Sequence, residues 1–205
     1  MAAPWVADIW FDPSCPYTWI TSRWLVEVTR VRPVEVRWHV MSLSVLNEHR
    51  DDDPEGDPDG YLWVPVRVCA AVAELHGQEA LARFYAALWS GARASDDWLG
   101  DLETALAAAG LPRELASAGT TTEYDAAVRA SHAEGVRLVS ADTGTPVIAV
   151  SGPGVERVAV FGPVISEIPR GEDAGRLWDG LLLMTSVPGF HSVKGAPLAE
   201  PRHTP

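Results

Sequence analysis

An apolar run, Trp5-Val6-Ala7-Asp8-Ile9-Trp10-Phe11, stops at Asp12-Pro13-Ser14, and Cys15-Pro16-Tyr17-Thr18-Trp19 then leads into a stretch of helical periodicity. No other part of the chain restricts the fold as much. Residues 5–11 read as a buried strand. Within residues 20–30, Ile20, Trp24, Leu25 and Val28 recur at helical spacing. Residues 34–40, Val-Glu-Val-Arg-Trp-His-Val, alternate with period two and read as a second strand. Two strands joined through one helix cross over right-handed and pair in parallel. Cys15 therefore falls where a strand turns into a helix. A helix N-terminus presents N–H groups without intrahelical partners and a partial positive charge. Both favour a thiolate over a thiol, so a cysteine there can act as a nucleophile at neutral pH.

The middle of the chain changes character. Residues 51–60 are rich in Asp, Pro and Gly and read as a loop. From Pro65 to about Gly135 the pattern is helical almost throughout. Pro65 suits a first helical turn and Gly77 its end. Residues 80–89 and 97–109 follow, the latter closed by Gly110 and Pro112. Thr122 reads as the N-cap of a helix reaching Glu134. Strand character returns at residues 146–150 and 155–161, on either side of Ser151-Gly152-Pro153-Gly154, a hairpin pattern. A helix at about 171–187 precedes a Pro-rich tail that reads as loosely held. The order strand-helix-strand, helical block, strand-strand-helix gives an α/β chain, a thioredoxin-like core interrupted by an all-helical insertion. The expected divisions are core at 1–50, insertion at 51–140, core at 141–190 and tail at 191–205.

Composition narrows the function classes. The 205 residues carry a formal net charge of −12 with acidic groups clustered at Asp51–Asp59. Phosphate binding needs a basic face, so nucleic acid is not expected as a partner. No apolar stretch reaches membrane-spanning length, and the beginning of the chain lacks the basic, then apolar, pattern of a secretory signal. Two cysteines, Cys15 and Cys69, do not make a disulfide framework. A reducing cytoplasm is the expected compartment. A homodimer is compatible with the chain. The histidines show no metal-ligand spacing, and no metal is expected.

Cys15 is the candidate nucleophile; Cys69, in the apolar run Val66–Ala71, reads as a core thiol. Thr18 stands three residues after Cys15. Its hydroxyl could donate a hydrogen bond to a Cys15 thiolate, or be an ordinary first-turn residue, but it cannot form a disulfide. A mixed disulfide on Cys15 must then be resolved by a second thiol from solution. In Gly144-Thr145-Pro146, Pro146 is expected to open a core strand facing the Cys15 turn. A cis bond before it costs only about 0.5–1 kcal/mol over trans. It would aim the Thr145 backbone at a thiol-bearing ligand. Asp8 and Asp12 are candidates for proton transfer near Cys15, and Asp12 equally for capping the following turn. Trp19, Asn47, Tyr61 and Trp63 are the candidate substrate-binding residues, and Asn47 is equally a candidate for a turn role.

Several segments carry a family resemblance over nearly the whole chain. They include Trp10-Phe11-Asp12-Pro13 with Cys15-Pro16, His39-Val40-Met41-Ser42-Leu43, Leu46-Asn47-Glu48, Gly144-Thr145-Pro146, Phe161-Gly162-Pro163-Val164 and Ile168-Pro169-Arg170-Gly171-Glu172. The chain resembles the DsbA-like thioredoxin superfamily, most closely the actinobacterial mycothiol-dependent nitroreductases. That resemblance implies a Cys15 charged by a low-molecular-weight thiol, mycothiol, and a small electrophilic substrate such as a nitroaromatic or a disulfide. It implies that Pro16, Tyr17, Thr145 and Pro146 bind the thiol, and that Tyr17 and Asn47 line the cleft. Thr18 departs from the pattern, since those reductases carry a second cysteine there. The run Asp12-x-x-Cys15-Pro16-Tyr17-Thr18 also resembles the kappa-class glutathione transferases and 2-hydroxychromene-2-carboxylate isomerases. Their serine activates a bound thiol without forming a protein disulfide.

Overall fold

In the computed structural model, residues 4–52, 54–92, 101–140, 143–153 and 155–202 are described. Strand β1 spans Trp5–Phe11, helix α1 Pro16–Val31 and strand β2 Val34–Val40. α1 starts four residues earlier than its apolar spacing suggests, because Pro16, with its fixed φ, suits the first helical turn. Trp5 N–H donates to Pro33 O, and Met41 N–H donates to Phe11 O. Like ends of β1 and β2 thus lie side by side, the parallel crossover arrangement. β3, Val147–Gly152, pairs antiparallel with β1, and β4, Val155–Phe161, antiparallel with β3. The sheet order is β2-β1-β3-β4. The hairpin forms as its pattern predicts; Gly154 lies outside the described residues.

The remaining helices are α2 (Leu43–Asn47), α3 (Trp63–Ala92), α4 (Leu102–Ala108), α5 (Asp125–Arg137) and α6 (Gly171–Thr185), with a 3-10 helix at Arg113–Thr120. α3 is broken at Gly77, where φ is 79° and only glycine is unstrained, so it is the pair of helices that Gly77 and residues 80–89 predict. Of the helix expected at 97–109, residues 97–100 lie outside the described residues. α2 and the 3-10 helix carry too little periodicity to be read in advance. None of the described helices is long and apolar enough to cross a membrane.

The chain divides into two compact units. The first comprises Met1–Trp10, Cys15–Arg37 and Gly135–Pro205. Here α1 packs on α6: the Trp24 indole N–H donates to Ala174 O at 3.0 Å, and the Trp24 and Trp178 rings lie 6.4 Å apart. Arg32 closes the far end of this pair, bonding Asp179 at 2.8 Å and Glu172 at 3.2 Å. Gly135 sits where a Cβ would come within 2.7 Å of the buried Trp10 indole, so α5 has no side chain there.

The second unit comprises Phe11–Ser14 and Trp38–Glu134. Its core includes stacked Phe11 and Tyr85 rings, 4.2 Å apart, with Trp38 edge-on. The Trp89 indole N–H donates to Pro13 O at 3.0 Å. His132 is buried there, and that burial pulls its pKa below the usual range, keeping the imidazole neutral at pH 7.

Candidate active site

Asp12 forms the turn that ends β1. One carboxylate oxygen accepts the Ser14 N–H and the other the Leu43 N–H, each at 2.7 Å. The first bond is an Asx turn, the capping role open to Asp12 from sequence. Asp12 is fully buried, and burial pushes its pKa from 3.8 up to about 6 against the pull of those two N–H groups. A raised acid pKa means that the folded chain holds a proton which the unfolded chain has lost. This contribution to stability is complete below about pH 4 and disappears as pH rises through about 6, a change on the order of 3 kcal/mol. Asp12→Asn turns an NH2 group toward one of the two N–H donors and is expected to destabilise the fold by about 1–3 kcal/mol at pH 4. Urea titrations of both proteins should show that penalty shrinking between pH 4 and 7. A penalty independent of pH would mean that burial does not control this carboxyl.

Cys15 follows as the N-cap of α1, with φ −82° and ψ 115°; its carbonyl accepts the Trp19 N–H at 3.0 Å. Cys15 is half-buried and Cys69 fully buried, and neither forms a disulfide. Burial first, and then the charge of Asp12, push the Cys69 pKa far up, so Cys69 is a protonated core thiol, as its apolar run predicts.

Thr18 points inward from the first turn of α1 and is fully buried. Its Oγ1 lies 3.2 Å from Thr145 Oγ1. Thr145 Oγ1 in turn donates to Trp10 O, at the end of β1, at 3.1 Å. A hydroxyl has one proton, and that of Thr145 goes to a carbonyl that can only accept. Thr18 is therefore the donor in the pair. Its proton is directed at Thr145. The contact brings the Cys15 turn and the Thr145-Pro146 segment together, and the Thr145–Pro146 peptide is cis.

The other candidate residues are distributed over both units. Tyr17 is half-buried, and its hydroxyl donates to Ala199 O at 3.2 Å. Trp19 carries the Arg23 guanidinium on its ring, 4.3 Å from the centroid. Asn47, Tyr61 and Trp63 belong to the second unit. Asn47 donates to Glu55 at 2.9 Å, and Tyr61 N–H bonds Asp57. The guanidinium carbons of Arg67 and Arg129 lie 5.0 and 5.3 Å from the Trp63 ring centre. Asp8 is paired with Arg157 at 3.0 Å. Among the described residues no group of three or more His, Cys, Asp or Glu could hold a metal ion. The anchoring of the tail was not legible: residues 191–202 are irregular, yet Ala199 and Arg202 are bonded to Tyr17 and Ser166. Backbone atoms of Ala199 and Arg202 make these bonds, and the Arg202 side chain adds only a largely exposed pair with Glu167, so the sequence carries little signal for the anchoring.

A cysteine at the mouth of a strand-to-helix turn, beside a Thr-cis-Pro segment in this sheet, defines a DsbA-like thioredoxin fold of the thiol-dependent oxidoreductase class. Solved structures share the fold. A cytosolic disulfide reductase, DsbM from Pseudomonas aeruginosa, superposes with TM-score 0.55 at 18% identity, covering 87% of this chain and 98% of that one. A probable DsbA oxidoreductase, SCO1869 from Streptomyces coelicolor, does so with TM-score 0.56 at 16% identity, covering 93% and 100%. In sequence, the uncharacterized protein Rv2286c of Mycobacterium tuberculosis is 27% identical over 197 residues, which cover 91% of this chain and 80% of that protein. Residues 14–195 match the model of the Rv2466c-like family, described as mycothiol-dependent nitroreductase Rv2466c, and the chain belongs to that family. It is an enzyme of that oxidoreductase class.

Proposed function

We propose that this enzyme uses Cys15 as its single catalytic sulfur and a low-molecular-weight thiol, mycothiol, as its reductant, acting on a small electrophile in the cytoplasm. The observation that carries the proposal is the hydroxyl of Thr18, bonded to Thr145, in the place where a resolving sulfur would stand. With a disulfide substrate RSSR, the Cys15 thiolate attacks one sulfur, forming Cys15–S–S–R and releasing RS⁻. One thiol MS⁻ displaces the second RS⁻ and leaves Cys15–S–S–M. A second MS⁻ then attacks the M sulfur, forming MSSM and freeing the Cys15 thiolate. Two protons accompany the two released RS⁻ groups, so the sum is RSSR + 2 MSH giving 2 RSH + MSSM. For a nitroaromatic, the same two thiols give the nitroso compound, MSSM and water.

The partial positive charge at the start of α1 supports the thiolate throughout. Pro16, Tyr17, Thr145 and Pro146 are the proposed thiol-binding residues, with the Thr145 backbone pairing to the bound thiol and Thr18 holding Thr145. Trp19, Asn47, Tyr61 and Trp63 are proposed for the substrate, Asn47 with the support of the family resemblance.

Mass spectrometry after incubation with oxidised mycothiol tests the proposal. A single mycothiol adduct on Cys15, discharged by reduced mycothiol with one MSSM per adduct, is the expected result. The same Thr18 hydroxyl favours a second reading, a thiol-cofactor-dependent transferase or isomerase similar to the kappa-class glutathione transferases and 2-hydroxychromene-2-carboxylate isomerases. Consumption of an electrophile while Cys15 stays unmodified would support that reading instead.

A further inference from the structure

We propose that the C-terminal segment 199–202 is a specificity-determining strap on the Cys15 turn. It admits small thiols and disulfides and excludes disulfides carried on a protein. The inference rests on the thiol chemistry proposed above. Three bonds place the strap. The Tyr17 hydroxyl, two residues beyond Cys15, donates to Ala199 O at 3.2 Å. Arg202 N–H donates to Ser166 O at 2.7 Å, and the Arg202 guanidinium pairs with Glu167 at 2.5 Å. The loop that receives Arg202 is itself fastened to α1, because Thr21 Oγ1 donates to Pro163 O at 2.8 Å. Tail, loop and first turns of α1 therefore form one closed circuit of hydrogen bonds within the first unit.

Most of the holding falls to the backbone-directed bonds. The Arg202–Glu167 pair is largely exposed on both sides, and such pairs contribute little. Pro197 and Pro201 fix φ on both sides of Ala199, which lowers the entropy lost by holding the segment down. A peptide-borne disulfide reaches a thioredoxin-type cysteine as an extended chain, needing room on both sides of its sulfur. A segment fastened to Tyr17 occupies one of those sides. A small disulfide has no such extension and passes.

The test compares two substrates with the same leaving group, a thionitrobenzoate mixed disulfide of free cysteine and one of a folded carrier protein. In each, the Cys15 thiolate forms Cys15–S–S–R and releases coloured thionitrobenzoate. A chain ending at Pro197 should react about tenfold faster with the carrier disulfide and within about twofold of wild type with the small one. Tyr17→Phe, which loses one bond and keeps the ring, should shift the carrier-to-small ratio in the same direction by about threefold. Hydrogen exchange at the Trp19 amide, bonded to Cys15 O, should accelerate on truncation. A reactive Cys15 whose carrier-to-small ratio does not change on truncation overturns the strap alone. A Cys15 inert toward both substrates, in intact and truncated chains alike, overturns the thiol chemistry and the selectivity with it.

Discussion

Cys15→Ser is expected to lower thiol-dependent turnover on the order of 10³-fold or more, the scale on which loss of a covalent nucleophile is felt. Serine cannot form or exchange a disulfide, so every step that passes through Cys15–S–S–M is lost. The fold should not suffer. Position 15 is the N-cap of α1, where serine is among the preferred residues, so thermal stability should be unchanged or slightly raised. Steady-state turnover with mycothiol, together with a thermal melt, separates chemistry from unfolding. The substitution also divides the two functional readings. In the transferase and isomerase groups that the Cys15-Pro16-Tyr17-Thr18 run resembles, a serine activates the bound thiol. Turnover retained within about tenfold would sink the mixed-disulfide route and favour a thiol that is bound but never linked to the protein.

Thr145→Val and Thr18→Val should differ sharply, although each replaces a buried threonine by its near-isostere. Thr145 is the middle of a directed chain, accepting from Thr18 and donating to Trp10 O. Valine at 145 leaves the Thr18 O–H without its acceptor and the Trp10 carbonyl without that donor, both in the core. A buried group left without its partner costs about 1–3 kcal/mol, so a loss of about 2–4 kcal/mol is expected. Valine at 18 removes only a donor, and Thr145 still bonds Trp10 O, so about 1 kcal/mol should go. Chemical denaturation of the two variants measures the difference. Equal losses, or the larger loss for Thr18→Val, would reverse the direction of the chain. The Thr145→Val variant should also react more slowly with the small disulfide, because the segment proposed to pair with the thiol is no longer held at its side chain.

The elements nearest the candidate site were legible because local patterns specify them. The period-two alternation of Val34–Val40, the apolar run before Cys15, Gly77 breaking a helix and the Gly/Pro hairpin each follow from a few neighbouring residues. So does the early start of α1 once Pro16 is read as a first-turn residue. The five-residue α2 and the 3-10 helix were not legible, since neither is long enough to show a period. Asp12 could be read as a turn-capping residue, which needs only Ser14 two positions on. Its second bond, to Leu43, joins residues 31 apart and has no local signature.

The amino-acid sequence alone determined the strand-to-helix junction at Cys15, the cysteine in that turn and the hydroxyl at position 18, because these depend on residue identity and short spacing. Tertiary structure decided where the protons and side chains of those residues go. The Thr18 hydroxyl meets Thr145 across 127 positions of sequence, and Tyr17 meets Ala199 across 182. Such contacts arise when the sheet brings β1 and β3 together and the tail is laid back on α1. Their energies depend on burial and geometry that no spacing in the chain encodes.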